Sequence, residues 1–154
     1  CHEAVLYNKL NEMGVEVIDV RFPTWGGALS CVIQVAGIPR EGVIGDALLT
    51  LMGTPYNNAK LAVAVSEDTD MDDPGSVYHA IASRADPALD VTIVPRTRGH
   101  PGDPSGTPIP GDPFNRLAGK LGIDATIKGR LDPADFERVW PKDWGNVDIE
   151  DYLD

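Results

Sequence analysis

Residues Lys60 to Val94, KLAVAVSEDTDMDDPGSVYHAIASRADPALDVTIV, leave few folds open to this chain. Leu61 to Val65 is a short, unbroken apolar run, the pattern of a strand covered on both faces. Glu67, Asp68, Asp70, Asp72 and Asp73 then place five acids in seven positions. Asp73-Pro74 predicts a helix start, because an aspartate accepts from free backbone N–H groups and proline's fixed φ suits the first turn. Val77, Tyr78, Ile81 and Ala82 predict one helical face, and Asp86-Pro87 predicts its end. Asp90 to Val94 is a second β-branched run. Strand, helix and strand together predict a βαβ unit with a right-handed crossover in a parallel or mixed sheet.

The flanking segments extend that sheet. Ala4 to Met13 reads as an amphipathic helix with Val5, Leu6, Leu10 and Met13 on one stripe, closed by Gly14. Val15–Arg21 and Leu29–Val35 read as strands, and with no helix between them they suit antiparallel neighbours. Val43 to Met52 reads as a helix ended by Gly53, and Thr54–Ala59 as a turn. Residues 96–113 hold five prolines and four glycines, which predicts irregular backbone and, at that length, a functional loop or a strap. Phe114 to Thr126 returns to mixed apolar content, and Asp132-Pro133 predicts a short helix to about Trp140. The acidic tail 141–154 carries Trp144, Tyr152 and Leu153, aromatic and apolar groups that suit docking on another surface. The expected fold is α/β: one three-layer αβα domain over 1–154, with a mixed, mostly parallel sheet of four or five strands.

Composition removes several functions. A net charge of −11 opposes a phosphate-backbone partner, so no nucleic acid is expected. No apolar run reaches the roughly 20 residues of a membrane span, so no membrane partner is expected either. Cys1 and Cys31 make no disulfide framework, which suits a reducing, cytoplasmic setting. The chain begins at Cys1 and enters a helical pattern at once. That suits a processed chain or, as expected here, the rear part of a longer polypeptide.

Candidate sites divide into weak and stronger ones. Asp68-x-Asp70-x-Asp72 opens like a calcium loop, but Asp73 and His79 stand where an EF-hand needs glycine and a bidentate glutamate. A solvated capping turn is the reading adopted. Gly102-Asp103-Pro104-Ser105-Gly106 has its serine one place late for a nucleophile elbow, although His100 lies near in sequence as a base for a stand-alone hydrolase. The three histidines and two cysteines are too dispersed for zinc. Phe22, Pro23, Thr24 and Trp25 follow the first strand, at a carboxyl end where open α/β sheets place ligands. They suit either substrate contact or packing on the domain's own helices. Arg96 and Arg98, with His100, suit holding a carboxylate or phosphate, or a solvated loop.

Several of these segments, in order, resemble the C-terminal domain of the UbiD family, the prenylated-flavin-dependent (de)carboxylases. The matching residues are Ala64-Val65-Ser66-Glu67-Asp68-Thr69-Asp70, then Val77-Tyr78-His79-Ala80-Ile81-Ala82-Ser83-Arg84. Glu3-Ala4, the Phe22-Pro23 pair, Cys31–Val35 and Gly122-Ile123-Asp124-Ala125-Thr126 also fit. Ser66 stands where the family usually has Asp, and Tyr78 near where it often has Trp. The resemblance spans most of residues 3–130 and covers only the family's last third. It implies that Phe22, Pro23 and Thr24 form the apolar wall of a substrate pocket, closing over an aromatic or α,β-unsaturated carboxylic acid at the flavin. The last segment is read as a buried-edge piece whose Asp124 satisfies backbone donors.

The same resemblance implies a limit. Prenylated FMN, its Mn2+ or Mg2+ and K+ ions, and the catalytic residues would belong to N-terminal flavin-binding domains that precede this one. No cofactor-binding, metal or catalytic position is therefore carried onto this chain. Implied partners are those domains, further copies in a homo-oligomer, and a flavin prenyltransferase as cofactor supplier. The 154 residues alone are expected to be inactive. The reading from a different class is a free-standing, non-catalytic assembly or acid-binding module.

Overall fold

The computed structural model describes residues 2–54, 59–137 and 139. Three helices and six strands follow the chain as α1 His2–Glu12, β1 Val17–Arg21, β2 Ser30–Val35, α2 Val43–Met52, β3 Leu61–Ser66, α3 Pro74–Arg84, β4 Val91–Gly99, β5 Thr107–Ile109 and β6 Asp112–Ala125. Short 3-10 turns occupy Thr24–Leu29 and Pro133–Phe136. The path across the sheet is β1-β2-β3-β6-β4, with β5 on β6.

β3 lies at the centre, as its apolar run requires. Ala62, Val63, Ala64 and Val65 are each at most 1% exposed. One face carries Cys31, Ile33, Val35, Ala62 and Ala64 against Leu6 and Leu10 of α1 and Ile44, Ala47, Leu48 and Leu51 of α2. The other carries Val32, Val63, Val65 and Ala125 against Val77 and Ala80 of α3 and Met71. Three layers result, αβα, with a mixed sheet. β1 is antiparallel to β2, β2–β3 and β3–β6 are parallel, and β4 and β5 are antiparallel to β6.

The expected βαβ unit is corrected here. β3, α3 and β4 form at the predicted places, but β4 pairs with β6, antiparallel, so β3 and β4 are not parallel partners. The chain turns back through 100–111 and inserts β6 between them. The parallel β-α-β unit is instead β2-α2-β3. The segment 96–113 is also less irregular than its prolines and glycines imply. β4 runs on to Gly99, β5 forms at Thr107–Ile109, and β6 begins at Asp112. Residues 122–126 are no edge piece, since Gly122 and Ile123 pair with both β3 and β4 and Asp124 N–H donates to the Asp90 carbonyl.

Two helix faces are redrawn. Tyr78 is 72% exposed and Ala82 is exposed, while Ser76, Val77, Ala80 and Arg84 turn inward. In α1 only Leu6 and Leu10 are buried, and Val5 and Met13 of the predicted stripe are exposed. The Asp73 cap forms as expected, its carboxylate accepting from Gly75 and Ser76 N–H. The helix predicted from Asp132 is only the 3-10 turn Pro133–Phe136, with Glu137 already extended; part of the predicted 54–59 turn and the tail 141–154 lie outside the described residues.

Candidate functional site

The Phe22–Trp25 segment is held at both ends. Glu3 Oε1 accepts from Phe22 N–H at 3.1 Å, and Trp25 Nε1 donates to the Met71 carbonyl at 3.2 Å. Phe22 is half-buried and packs on the α1/α2 core, Pro23 is buried, and Thr24 is exposed. Trp25 keeps 38% of its surface open. The turn is not the simple loop expected, because Thr24–Leu29 winds as a 3-10 helix with Gly27 at φ 60°. Gly26 has no room for a side chain, since a Cβ there would lie 2.4 Å from Ser30 Cβ.

The turn sits at the end of the sheet opposite to the expected one. It follows β1, but β1 runs against β2, so its carboxyl end meets the amino ends of β2 and β3. The rule that ligands gather at the carboxyl ends of parallel strands therefore does not place it. A different feature does. Ser30, Leu61, Leu121 and Ile93 align as one rung across β2, β3, β6 and β4. α3 covers the next rung on that face, Val32 and Val63, while in this one Ser30 is buried and Leu61 and Leu121 are half-buried. Ile93 is 71% exposed. Trp25 and Leu29 overhang the rung, and with Leu61, Ile93 and Leu121 they line a trough of about 560 Å³. Sequence reasoning missed Leu29, Leu61, Ile93 and Leu121 as site residues. The one available signal was that Leu117, Gly119, Leu121 and Ile123 alternate as a strand.

Arg96 and Arg98 lie at this same end, beyond Ile93 on β4. A bulge between Val94 and Thr97 puts Arg96 at φ 55°, and Arg98 faces Leu117 across the ladder. Both are exposed. No hydrogen bond or ion pair among the described residues joins them to the Phe22–Trp25 turn, and three inter-strand spacings of about 4.8 Å separate β2 from β4. The structure brings the two groups to one end of the sheet, but neither arginine lines the trough.

The Ser105 environment argues against a hydrolase. Ser105 Oγ lies 2.5 Å from Lys60 Nζ, which donates to it, and 2.9 Å from Asp103 Oδ1. Lys60 also donates to Asp103 Oδ1 at 3.0 Å. Asp103 is 1% exposed, and the hydrogen bond from Lys60 holds its carboxyl below the usual range. A lysine spending its protons on a buried carboxylate offers the serine no acceptor. His100 Nδ1 instead accepts from Gly102 N–H. The cluster pins residues 103–105 to the start of β3.

The acidic loop is structural as well. Arg84, 6% exposed, grips Asp68 with two bonds of 2.9 and 2.6 Å, which lower the Asp68 pKa, and the Phe136 ring lies 5.5 Å from the guanidinium carbon. Gln34 Nε2 donates to the Glu67 and Thr69 carbonyls. Asp124 Oδ1 accepts from Thr126 N–H and Oγ–H, as expected of it. Among the described residues no three His, Cys, Asp or Glu side chains are arranged to hold a metal ion. Cys31 is wholly buried, and burial with nearby Glu3 pushes its thiol up to about 12. Lys120, 3% exposed, donates to the Met52 carbonyl at the end of α2, and burial lowers its pKa.

The fold and turn thus define an αβα domain whose exposed aromatic overhangs a partly open apolar sheet end, with Asp68, Asp103 and the buried Lys120 and Lys128 engaged in structural contacts. Residues 1–125 match the family model of the 3-octaprenyl-4-hydroxybenzoate carboxy-lyase C-terminal domain, and the chain belongs to that UbiD family. It is 36% identical over 104 residues to an anhydromevalonate phosphate decarboxylase of Aeropyrum pernix, covering 68% of this chain and 22% of that protein. The UbiD-class enzyme HmfF from Pelotomaculum thermopropionicum, solved with FMN, superposes with a TM-score of 0.76 at 29% identity, over 98% of this chain and 32% of that one. The vanillic acid decarboxylase of Sedimentibacter hydroxybenzoicus, in closed form, gives 0.70 at 25% identity, over 97% of this chain and 30% of that one. Its open form gives 0.69 at 25%, over 97% and 31%. The chain therefore spans about a fifth to a third of the length of these relatives. Among the described residues no helix is long and apolar enough to cross a membrane.

Proposed function

We propose that this chain is the substrate-pocket-closing C-terminal domain of a UbiD-class decarboxylase or reversible carboxylase. Its substrate is an aromatic or α,β-unsaturated carboxylic acid, and its cofactor is prenylated FMN carried by preceding domains. The observation that carries the reading is the Phe22–Trp25 turn, fixed by Glu3 and Met71 yet presenting Trp25 over an uncovered apolar trough. A rigid turn that leaves a large aromatic half-exposed is suited to meet a flat apolar ligand. The relative solved in both closed and open form supports a domain that moves against its neighbours.

The cofactor, when bound elsewhere in the protein, supplies the electron sink for carbon–carbon bond cleavage. The described residues of this chain hold no donor set for its metal ions, and no step through the flavin is assigned to them. Their part is to wall the pocket and exclude water as the domains close. Assembly into a homo-oligomer, and supply of the cofactor by a flavin prenyltransferase, complete the reading.

The test uses the full-length enzyme loaded with prenylated FMN. Trp25→Ala should lower kcat/KM for an aromatic acid by at least about tenfold, about 1.4 kcal/mol, while the melting temperature stays within a few degrees. Unchanged turnover across a panel of aromatic and unsaturated acids would remove the wall role. No observation favours the free-standing module over this reading.

A further inference from the structure

One buried polar group in the trough wall has no partner. Ser30 opens β2 and stands in the rung Ser30–Leu61–Leu121–Ile93, whose other members are apolar. It is 3% exposed, and its Oγ makes no hydrogen bond among the described residues. The remaining polar side chains that line the trough are all engaged. Trp25 Nε1 donates to the Met71 carbonyl, Lys60 Nζ to Asp103 and Ser105, and Lys120 Nζ to the Met52 carbonyl. A buried hydroxyl without a partner destabilises the fold, and alanine would fill the same place without that penalty. The 3-10 turn is nonetheless fitted around it, since a Cβ on Gly26 would lie 2.8 Å from Ser30 Oγ.

The surroundings define the group that would suit this hydroxyl. The trough, about 560 Å³, is ample for one aromatic acid, and Trp25, Leu61, Leu121 and Ile93 give it apolar walls. No cation is free there: Lys60 and Lys120 are engaged, and neither Arg96 nor Arg98 lines the trough. A carboxylate set against a lone neutral hydroxyl in such surroundings would lose its water without compensation. An uncharged oxygen loses far less, and a serine hydroxyl can both donate and accept. The hydroxyl turns about a single bond among three staggered positions, so it can meet such a partner without backbone movement.

We propose that Ser30 is a specificity-determining residue, which hydrogen-bonds an uncharged oxygen (a hydroxyl, ether or carbonyl) on the part of the acid remote from its carboxylate. The carboxylate then points out of the trough, away from the apolar rung. Ser30 can act so only if the acid lies in the trough, as the pocket-wall reading has it.

Matched pairs of acids that differ by one hydroxyl or methoxy group test it, on the full-length enzyme loaded with prenylated FMN. In at least one pair, Ser30→Ala should lower kcat/KM for the oxygen-bearing acid about tenfold more than for its partner, chiefly through KM. The variant's melting temperature should stay level or rise, since a partnerless buried hydroxyl has been removed. Ser30→Cys, close in volume but a weak hydrogen-bonding group, should lose the same discrimination. Equal losses for both members of every pair would make Ser30 a packing residue and overturn the proposal. So would a melting temperature lowered by several degrees, because the hydroxyl would then already serve the fold. Trp25→Ala separates the two readings. If it lowers turnover while Ser30→Ala leaves every ratio intact, the wall stands and the role of Ser30 falls. If neither variant changes turnover, both fall.

Discussion

Single residues here divide sharply between those that hold the fold and those that face outward. Asp68 belongs to the first group, although its loop looks like a ligand site. Its carboxylate compensates the buried guanidinium of Arg84. Asp68→Asn leaves that cation half-paired and should cost about 2 kcal/mol in urea unfolding. The folded pKa of Asp68 lies below its ordinary value because of the Arg84 hydrogen bonds. The stability it contributes is therefore present above the unfolded pKa and is lost as pH falls through the folded one. Wild type should lose stability below about pH 4 more steeply than Asp68→Asn, and parallel pH profiles for the two would contradict this. Cys31 makes a second residue-scale prediction. A wholly buried thiol pushed up to about 12 should resist alkylation at pH 8 in the native chain and react only on unfolding, as peptide mapping would show. Both roles were partly legible in sequence: Asp73 was read as a cap and Asp68 as part of a structural turn. The bidentate partner, sixteen residues away, was not, because spacing along a chain does not reveal which charges meet.

Elements were easier to read than their pairings. β3 and α2 follow from runs of apolar residues whose periods are unambiguous, and their bounds lie where the sequence places them. β6 was hidden. Fourteen residues long, it carries Asn115, Arg116, Gly119, Lys120, Gly122 and Asp124, residue types that read as loop, and its apolar alternation is short. With β6 unseen, β4 had no apparent neighbour except β3, and a parallel βαβ unit was the natural inference. The glycines that disguise β6 are needed by the packing. A Cβ at Gly122 would lie 3.1 Å from Met52 Cε and 3.2 Å from Leu48 Cβ, so α2 sits directly on the strand there. Gly122→Val should overpack that contact and destabilise by about 1–3 kcal/mol, measured by chemical denaturation. A neutral result would mean that α2 lifts off β6 without cost.

At the scale of the molecule, the candidate site was half legible. Phe22 and Trp25 stood out as aromatics in a polar turn, yet the rung beneath them is assembled from four strands and no local pattern announces it. The structure also separates two residues that the sequence treats as a pair. Phe22 packs into the α1/α2 core, while Trp25 lies on the other face of the sheet, tied to Met71. Phe22→Ala should accordingly cost stability, by about 1–2 kcal/mol for a half-buried aromatic, as well as altering substrate choice, whereas Trp25→Ala should act on turnover alone. In the reading proposed here the domain walls a pocket, and the chemistry is left to the flavin-binding domains. The buried Arg84, Asp90, Asp103 and Lys128 are ion-paired, Cys31 is buried, and Ser105 is held by an ion-paired lysine. The chain also spans only about a fifth to a third of the relatives that it matches. Given prenylated FMN and an aromatic acid, the isolated 154 residues should release no carbon dioxide above the rate of free cofactor. Turnover that survives purification and disappears with Trp25→Ala would assign catalysis to this domain itself and overturn the division of labour proposed for it.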